Sequence, residues 1–336
     1  MNKDIIILGI ESSCDDTSAA ILKNNNVLSN IIANQEIHTK YGGVVPELAS
    51  RAHQKNIVPV IHEALRIAKI DKSEIDAIAY TRGPGLMGSL LVGGSFAKGF
   101  SLALNKPLIS VNHMQGHILS HFINNNLYNP PKFPFLCLTV SGGHTQIVLV
   151  KDFLDMSVIG QTIDDAAGEA FDKSAKVLGL DYPGGPLIDK FSKNGNINAF
   201  KFAKPKIKNL DFSFSGLKTS IMNLINNEKS KNSNFISENI EDLCASIQYS
   251  IVNILLEKIK LASLNTGIKN IAIAGGVSAN SYLRDQLLKL NSFNVYIPKF
   301  EYCTDNAAMI AVAGYYKFLN KELGNLKETS SARLNF

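Results

Sequence analysis

The chain has 336 residues, 45% of them hydrophobic, and carries 34 Lys and Arg against 29 Asp and Glu, a net charge of +5. That length and composition fit an ordered α/β protein better than a disordered one and allow two domains, each with its own core. The charge is compatible with a polyanionic partner without naming one, and the four scattered cysteines (Cys14, Cys137, Cys244, Cys303), with no CxxC pair, argue against a disulfide frame or a zinc ribbon and for a cytoplasmic protein.

In chain order, Ile5–Ile10 reads as a strand, too short for a signal peptide's apolar region, followed by the acidic turn ESSCDDTS. Ala19–Leu22 and Val27–Ile32 read as returning strands. Pro46–Ala68 has a helical pattern in which Pro59 predicts a kink or a break. Ile75–Tyr80 is a strand leading into the glycine-rich TRGPGLMGSL, Ser89–Asn105 a helix, and Pro107–Val111 a strand that delivers VNHMQGHILSHF. The second half repeats the plan: Phe135–Val140, a tight SGGHT turn, then Gln146–Val150. Helices follow at about Asp164–Leu178, Ile240–Leu264 and Ser281–Leu290, with strands at Asn270–Ala274 and Val295–Pro298. Pro183–Lys208 reads as an exposed insertion, Asn223–Asn239 as a polar loop, and the tail after Leu323 as peripheral. No apolar stretch is expected to reach the ~18–20 residues of a membrane span. Strand–turn–strand openings near residues 5 and 135 predict two related α/β lobes enclosing a nucleotide.

Several constellations carry chemistry. His113 and His117 lie one helical turn apart and can share a metal, although a merely solvated helix face would give the same spacing. HMQGH lacks the glutamate of HExxH, so a zincin-type peptidase is disfavoured. Asp305, before an apolar helix, is a third ligand or that helix's N-cap, and the sequence supports both. Gly142 and Gly143 between two strands, and Gly275–Gly276 between a strand and a helix, suit backbone donation to phosphate or plain turns equally. Asn280 is placed to meet an adenine or ribose. Glu11, Asp15 and Asp16 form an acidic turn that holds a cation or simply turns the chain. Asp172 and Asp189 are candidates for sugar hydroxyls, and Lys201–Lys208 for a phosphate backbone, with solvated surface as the plainer reading of each.

Taken together, GIESSCDDTS, TRGPGLMGSL, KGFSLALNKPLISVNHMQGH, SGGHT, DDAAGEAFDKSAKVLGLDYPGGP, FSFSGLKT, AGGVSANSYLR and CTDNAAM closely resemble the bacterial TsaD family, the tRNA N6-adenosine threonylcarbamoyltransferases. The resemblance spans nearly the whole chain. It implies an α/β, two-lobed actin-like ATPase fold of the Hsp70 and sugar-kinase class, with residues 1–115 plus 306–336 as one lobe and 116–305, carrying an exposed insertion near 183–239, as the other. It implies His113, His117 and Asp305 as ligands of one divalent metal, Fe(2+) or Zn(2+). Thr139, Val140, Ser141, Gly142, Gly143, Asp172, Gly185, Asp189 and Asn280 would bind an adenylate substrate, with Asp15 and Asp16 at the reaction centre. It implies transfer of threonylcarbamoyl to adenosine 37 of tRNA with release of AMP. The implied partners are TsaB, the ATPase TsaE and TsaC or a relative that makes the adenylate, with Mg(2+) and ATP used by the wider complex and no membrane involved. Gln115 and Asp16 stand where family members usually carry glutamate. A small-molecule kinase of the same superfamily, or a nucleotide-binding scaffold, would be independent of the two histidines.

Overall fold

The computed structural model describes residues 4–124 and 129–336. The chain forms two compact units, one of Met1–Pro131, Asp152–Asp155 and Pro298–Phe336, the other of Lys132–Lys151 and Met156–Ile297.

The first unit opens with β1 (Ile6–Glu11), β2 (Thr17–Lys23) and β3 (Asn26–Ala33), then α1 (Pro46–Ala68), β4 (Ala77–Gly83), α2 (Met87–Leu104), β5 (Leu108–Asn112) and α3 (His113–Leu119). Its five-stranded sheet has the order β3-β2-β1-β4-β5, antiparallel from β1 through β3 and parallel from β1 through β5. β1 is buried along its whole length, which is why Ile6–Ile10 is an unbroken apolar run rather than an alternating one, with only the final Glu11 charged. Ile6, Leu8 and Ile10 join Ile57, Val60 and Ile61 of α1 in one core cluster.

α1 is a single helix of 23 residues that runs through Pro59 without a break. Proline costs it one backbone hydrogen bond, but Ile57, Val60, Ile61 and Ala64, on both sides of Pro59, are buried and hold the two halves to one surface. α2 reaches 18 residues at a mean hydropathy of 1.3, so the length expected to be absent is present. Its Leu90, Gly93, Gly94 and Ala97 are buried on the face that packs against α1 and β4, while Met87, Leu91 and Leu102 are exposed.

The second unit begins with β6 (Phe135–Val140), β7 (Thr145–Val150) and β8 (Met156–Gln161), continues through α4 (Ala167–Val177), α5 (Gly184–Phe191), α6 (Ser215–Lys229) and α7 (Phe235–Thr266), and ends with β9 (Asn270–Ala274), α8 (Ser281–Leu288) and β10 (Asn294–Tyr296). Its sheet order, β10-β9-β6-β7-β8, is the first sheet's order with each strand replaced by its counterpart five places later. The pairing senses match as well, antiparallel for β6–β7–β8 and parallel for β6–β9–β10. The duplicated plan expected from the two strand–turn–strand openings is therefore present. α7 lies at the centre of this unit's core, with Ile247, Ile251 and Leu255 fully buried beside Leu136, Leu138 and Phe171.

Two segments differ from expectation here. Most of Asn223–Asn239, read as a polar loop, is helical: α6 extends to Lys229 and α7 starts at Phe235. The asparagines lie on α6's outer face, while Leu217, Ile221 and Ile225, spaced four apart, are buried and supply the stripe that makes a helix there. Pro183–Lys208 opens with α5 and only then becomes irregular.

The chain returns to the first unit through α9 (Ala307–Leu319), which packs on β1, β2 and β4. The tail beyond Leu323 is not peripheral. Gly324 N donates to Leu108 O at 2.7 Å, Ser331 N to Arg82 O at 2.9 Å, and Asn335 O accepts from Asn112 Nδ2 at 3.0 Å. It bonds to groups at the ends of β4 and β5 that a free tail would leave to solvent.

Candidate metal centre

β5 ends at Asn112, whose side chain caps α3 by accepting from Met114 N at 2.9 Å and Gln115 N at 3.4 Å. The helix therefore starts at His113 and places His117 one turn on. α9 brings the third group. Its own N-cap is Asn306, whose Oδ1 accepts from Met309 N at 3.1 Å, while Ala307 N donates to Ser18 Oγ at 2.8 Å. Asp305 is thereby relieved of capping, and the choice the sequence left open is resolved by its neighbour. Two glycines allow the approach. A Cβ on Gly9 of β1 would lie 2.4 Å from Ala307 O, and one on Gly116 of α3 would lie 3.0 Å from the Ile310 side chain of α9.

Asp305 Oδ1 sits 3.4 Å from His113 Nε2 and 3.2 Å from His117 Nε2. The two rings meet edge to face with centroids 4.7 Å apart, and one ligand atom from each of the three residues lies within 4.8 Å of the others. His117 is completely buried; its Nδ1 has no partner, and its Nε2 faces only Asp305 Oδ1 without a well-formed hydrogen bond. A buried polar atom without a partner costs ~1–3 kcal/mol. A cation accepting the Nε2 lone pair relieves that cost, so the donor set fits a divalent metal. Two imidazoles and one carboxylate with open positions suit iron or zinc.

Behind His113 stands Glu11. Its Oε2 lies 3.0 Å from His113 Nδ1 and accepts from Thr81 Oγ1 at 2.6 Å, and its Oε1 accepts from Ser13 N. Ser13 Oγ is also 3.2 Å from His113 Nδ1. A carboxylate on Nδ1 fixes the tautomer that presents Nε2 to a metal and raises the ring's basicity. Sequence reading grouped Glu11 with the acidic turn and missed this role. The available signal was an acid closing a strand that is otherwise wholly apolar.

Electrostatics follow from burial. Burial alone would lower the His113 pKa, but the charges of Glu11 and Asp305 outweigh it and hold the ring well above the usual histidine value. Burial would raise Asp305; the imidazoles of His113 and His117 overcome it and hold the carboxyl far below the normal carboxylate range. His117 is pushed down, chiefly by burial. Asp16 moves the other way, up to about 7, through burial and the charges of Asp15, Asp305 and Glu11.

The acidic turn is pinned from two helices. His53 Nε2 of α1 lies 3.0 Å from Cys14 O and its Nδ1 2.8 Å from Thr17 Oγ1, while Ser89 Oγ of α2 donates to Cys14 O at 2.9 Å. Leu86 N, from the glycine-rich turn after β4, donates to Ser13 O at 2.7 Å. That glycine-rich turn thus clamps the acidic one. The Cys14 thiol is pushed far up by burial and by Asp15, which removes it as a nucleophile.

The remaining predicted residues lie in the second unit. Thr139 and Val140 are buried in β6, with Thr139 Oγ1 donating to Gln146 O at 3.3 Å. Ser141 closes the turn through its N–H to His144 O at 2.8 Å, and Gly142 and Gly143 stand exposed, with open space where a side chain would be. Asp172 Oδ1 accepts from Gly184 N at 2.8 Å and Gly185 N at 3.3 Å at the start of α5, and burial raises its pKa. Asp189 accepts from Ser281 N at 3.1 Å and Ser281 Oγ at 2.7 Å. Asn280 caps α8 through Leu283 N at 2.9 Å and donates to Gln248 Oε1 at 2.6 Å. These three polar side chains already brace α5 and α8.

Residues 26–312 match the family model described as TsaD, tRNA N6-adenosine threonylcarbamoyltransferase. A protein of that name from Christiangramia forsetii is 59% identical, covering 100% of this chain and 99% of its own length. Another from Riemerella anatipestifer is 62% identical over 98% of each. Among solved structures, HypF from T. kodakarensis matches at a TM-score of 0.59 and 14% identity over 95% of this chain and 48% of that one. The activator of the 2-hydroxyisocaproyl-CoA dehydratase from Clostridium difficile matches at 0.51 and 15% over 96% and 99%. These distant structures carry the actin-like ATPase fold and establish fold alone. With a family match across most of its length and relatives this similar from end to end, the chain belongs to the TsaD family of tRNA N6-adenosine threonylcarbamoyltransferases.

Proposed function

We propose that this chain transfers the threonylcarbamoyl group from L-threonylcarbamoyladenylate to N6 of adenosine 37 in tRNAs reading codons that begin with A, releasing AMP, in the cytoplasm. The observation that carries the metal-dependent part of the reading is the convergence of His113, His117 and Asp305 on one point, with the buried His117 Nε2 facing only the Asp305 carboxylate, the other member of the donor set. A divalent cation bound there, iron or zinc, would act as a Lewis acid toward the carbamoyl oxygen.

The chain's own groups supply the rest. Glu11 holds His113 in the ligating tautomer. The exocyclic amine forms a bond to the carbamoyl carbon as the bond from that carbon to the adenylate oxygen breaks, and the amine must lose a proton. Asp15 and Asp16, half-buried in the acidic turn, are the groups we assign to orient the amine and take that proton. In the metal-free chain burial and the charges of Asp15, Asp305 and Glu11 raise Asp16 to about 7. On the adenylate side, the exposed backbone of Gly142 and Gly143 donates to the phosphate of the leaving AMP, while Ser141, its own N–H bonded to His144 O, shapes the turn that presents them. Thr139 and Val140 hold that turn, and Asp172, Gly185, Asp189 and Asn280 shape the adenosine subsite through the starts of α5 and α8.

The reading includes TsaB as heterodimer partner, TsaE as ATPase, TsaC or a relative as source of the adenylate, and Mg(2+) and ATP used by that wider complex. The test combines the purified chain with these partners, tRNA, threonine, bicarbonate and ATP, and measures threonylcarbamoyladenosine by mass spectrometry with and without chelator. Product that is lost on chelation is the expected result. No product from well-folded components would refute the transfer reading, and full yield from His113→Ala with His117→Ala would refute the metal centre.

A further inference from the structure

We infer that the lysine-bearing segment 195–209 of the second unit is a docking surface for the phosphate backbone of the tRNA substrate, an inference that rests on the transfer reaction proposed above. Between Asp189 and Asp211 the sequence holds Lys190, Lys193, Lys201, Lys204, Lys206 and Lys208 and no acid, against a net charge of +5 for the whole chain. The stretch therefore carries six positive charges within about twenty residues and no negative charge of its own.

The stretch is held in a fixed path although it has no regular secondary structure from Lys201 to Lys208. Side chains from neighbouring helices pin its backbone. Asp242 Oδ1 accepts from Asn196 N at 2.7 Å, Ser246 Oγ from Phe200 N at 3.2 Å, and Ser220 Oγ from Ala203 N at 2.9 Å. Lys258 of α7 donates to Ile207 O at 2.9 Å and Asn209 O at 2.6 Å. Along this path Phe202, Pro205 and Ile207 are half-buried, whereas Lys201, Lys204, Lys206 and Lys208 are exposed.

Lys204, Lys206 and Lys208 recur every second residue, ~6–7 Å apart on an extended backbone. Lys204 pairs with Glu257, and among the described residues no carboxylate pairs with Lys201, Lys206 or Lys208. A surface that only needs solvation mixes its signs. Cations this close and mostly unpaired repel one another, and a polyanion relieves that repulsion while releasing its own counterions. Beside the segment lies a cavity of about 310 Å³ whose lining includes Phe200, Phe202, Tyr249, Asn198 and Asn253, with Lys201 and Lys204 also contributing. Aromatic rings and amides next to cations are what a ribose or an unstacked base requires in addition to phosphate contacts.

The test measures tRNA affinity against salt for the full chain in the complete transfer mixture, with product formation followed in the same samples. The variant carries Lys201→Gln, Lys204→Gln, Lys206→Gln and Lys208→Gln, all at exposed positions and with the Lys258 clamp intact. A control carries the same loss of charge at Lys229, Lys269, Lys289 and Lys327. The expected result is a loss of about tenfold or more in affinity at ~0.1 M salt, with a salt slope shallower by about 2–3, because each phosphate contact contributes ~0.7–0.9. The control should change by less than about threefold, and arginine at the four positions should restore binding. A segment variant that matches the control in affinity and slope overturns the docking surface, as does a parent chain that binds no tRNA in the mixture. If the parent forms product and the segment variant binds normally, only the docking surface fails. If the parent forms no product yet loses RNA when the lysines are removed, only the transfer reading fails.

Discussion

The turn after β1 and the turn after β6 hold the same place in two sheets of the same strand order, and their electrostatics are opposite. The first, from Glu11 to Asp16, concentrates carboxylates, buries Glu11 completely and is tied down by His53, Ser89 and Leu86 N. The second, from Ser141 to His144, has no acid and leaves two glycines exposed. One repels anions and favours cations; the other offers backbone N–H groups where nothing blocks an anion. A duplicated scaffold has thus kept its hydrogen-bonded frame and exchanged the chemistry of one loop. The lesson is that topology carries no reaction and that the residues in equivalent turns do.

The comparison can be broken most forcefully at the first unit. Replacing His113 and His117 together by alanine should lower threonylcarbamoyladenosine yield by ~100-fold or more, by analogy with the loss of transition-state charge stabilisation at other Lewis-acid sites. Next comes Glu11→Gln, which keeps shape and removes the charge on His113 Nδ1. Metal affinity measured by competition with a chelator should fall by ~10–100-fold while the chain stays folded. Unchanged affinity would show that Ser13 alone orients the ring.

The second turn is sharpened by Gly142→Ala. Its Cβ enters open space, so thermal stability should hold, while the KM for the adenylate rises by roughly 3–10-fold if amides at this turn meet phosphate closely, worth ~1 kcal/mol. An unchanged KM would leave the glycines as a turn and nothing more.

The acidic turn predicts a pH dependence of the metal-free chain. The folded-state pKa of Asp16, about 7, lies above its ordinary 3.8, so the native state binds the extra proton. Its favourable contribution is complete below pH ~4 and is lost as pH rises through about 7. Asp16→Asn should therefore raise thermal stability at pH 8 by ~1–3 kcal/mol after allowance for solvent screening, and leave it nearly unchanged at pH 4. An equal effect at both values would contradict the shift.

The smallest effect separates two adjacent residues. Asn306→Ala should cost ~1 kcal/mol in stability through the lost cap of α9. Asp305→Ala should cost no cap.

Much of this site was legible in the sequence, for identifiable reasons. Helical spacing alone put His113 and His117 on one face, and strand–turn–strand openings revealed the duplicated sheets. Asp305 was different. Its position before an apolar run fitted a cap as well as a ligand, and only the register of Asn306 with Met309 N resolves that. Glu11 was hidden because an acid in ESSCDD looks like a turn former, and its partner His113 lies 102 residues away. His53 and Thr81 were hidden for the same reason, since contacts between distant segments leave no periodic trace. Asn223–Asn239 was misread because asparagine's weak helix propensity outweighed three apolar residues at four-residue spacing.

The expectation on which most else depends is that His113, His117 and Asp305 hold one metal ion. It is tested most directly by the metal content of the purified full chain, measured by mass spectrometry beside Asp305→Ala and Asn306→Ala. The account predicts about one iron or zinc per parent chain, the same for Asn306→Ala, and almost none for Asp305→Ala. Equal metal in the parent and Asp305→Ala would contradict it.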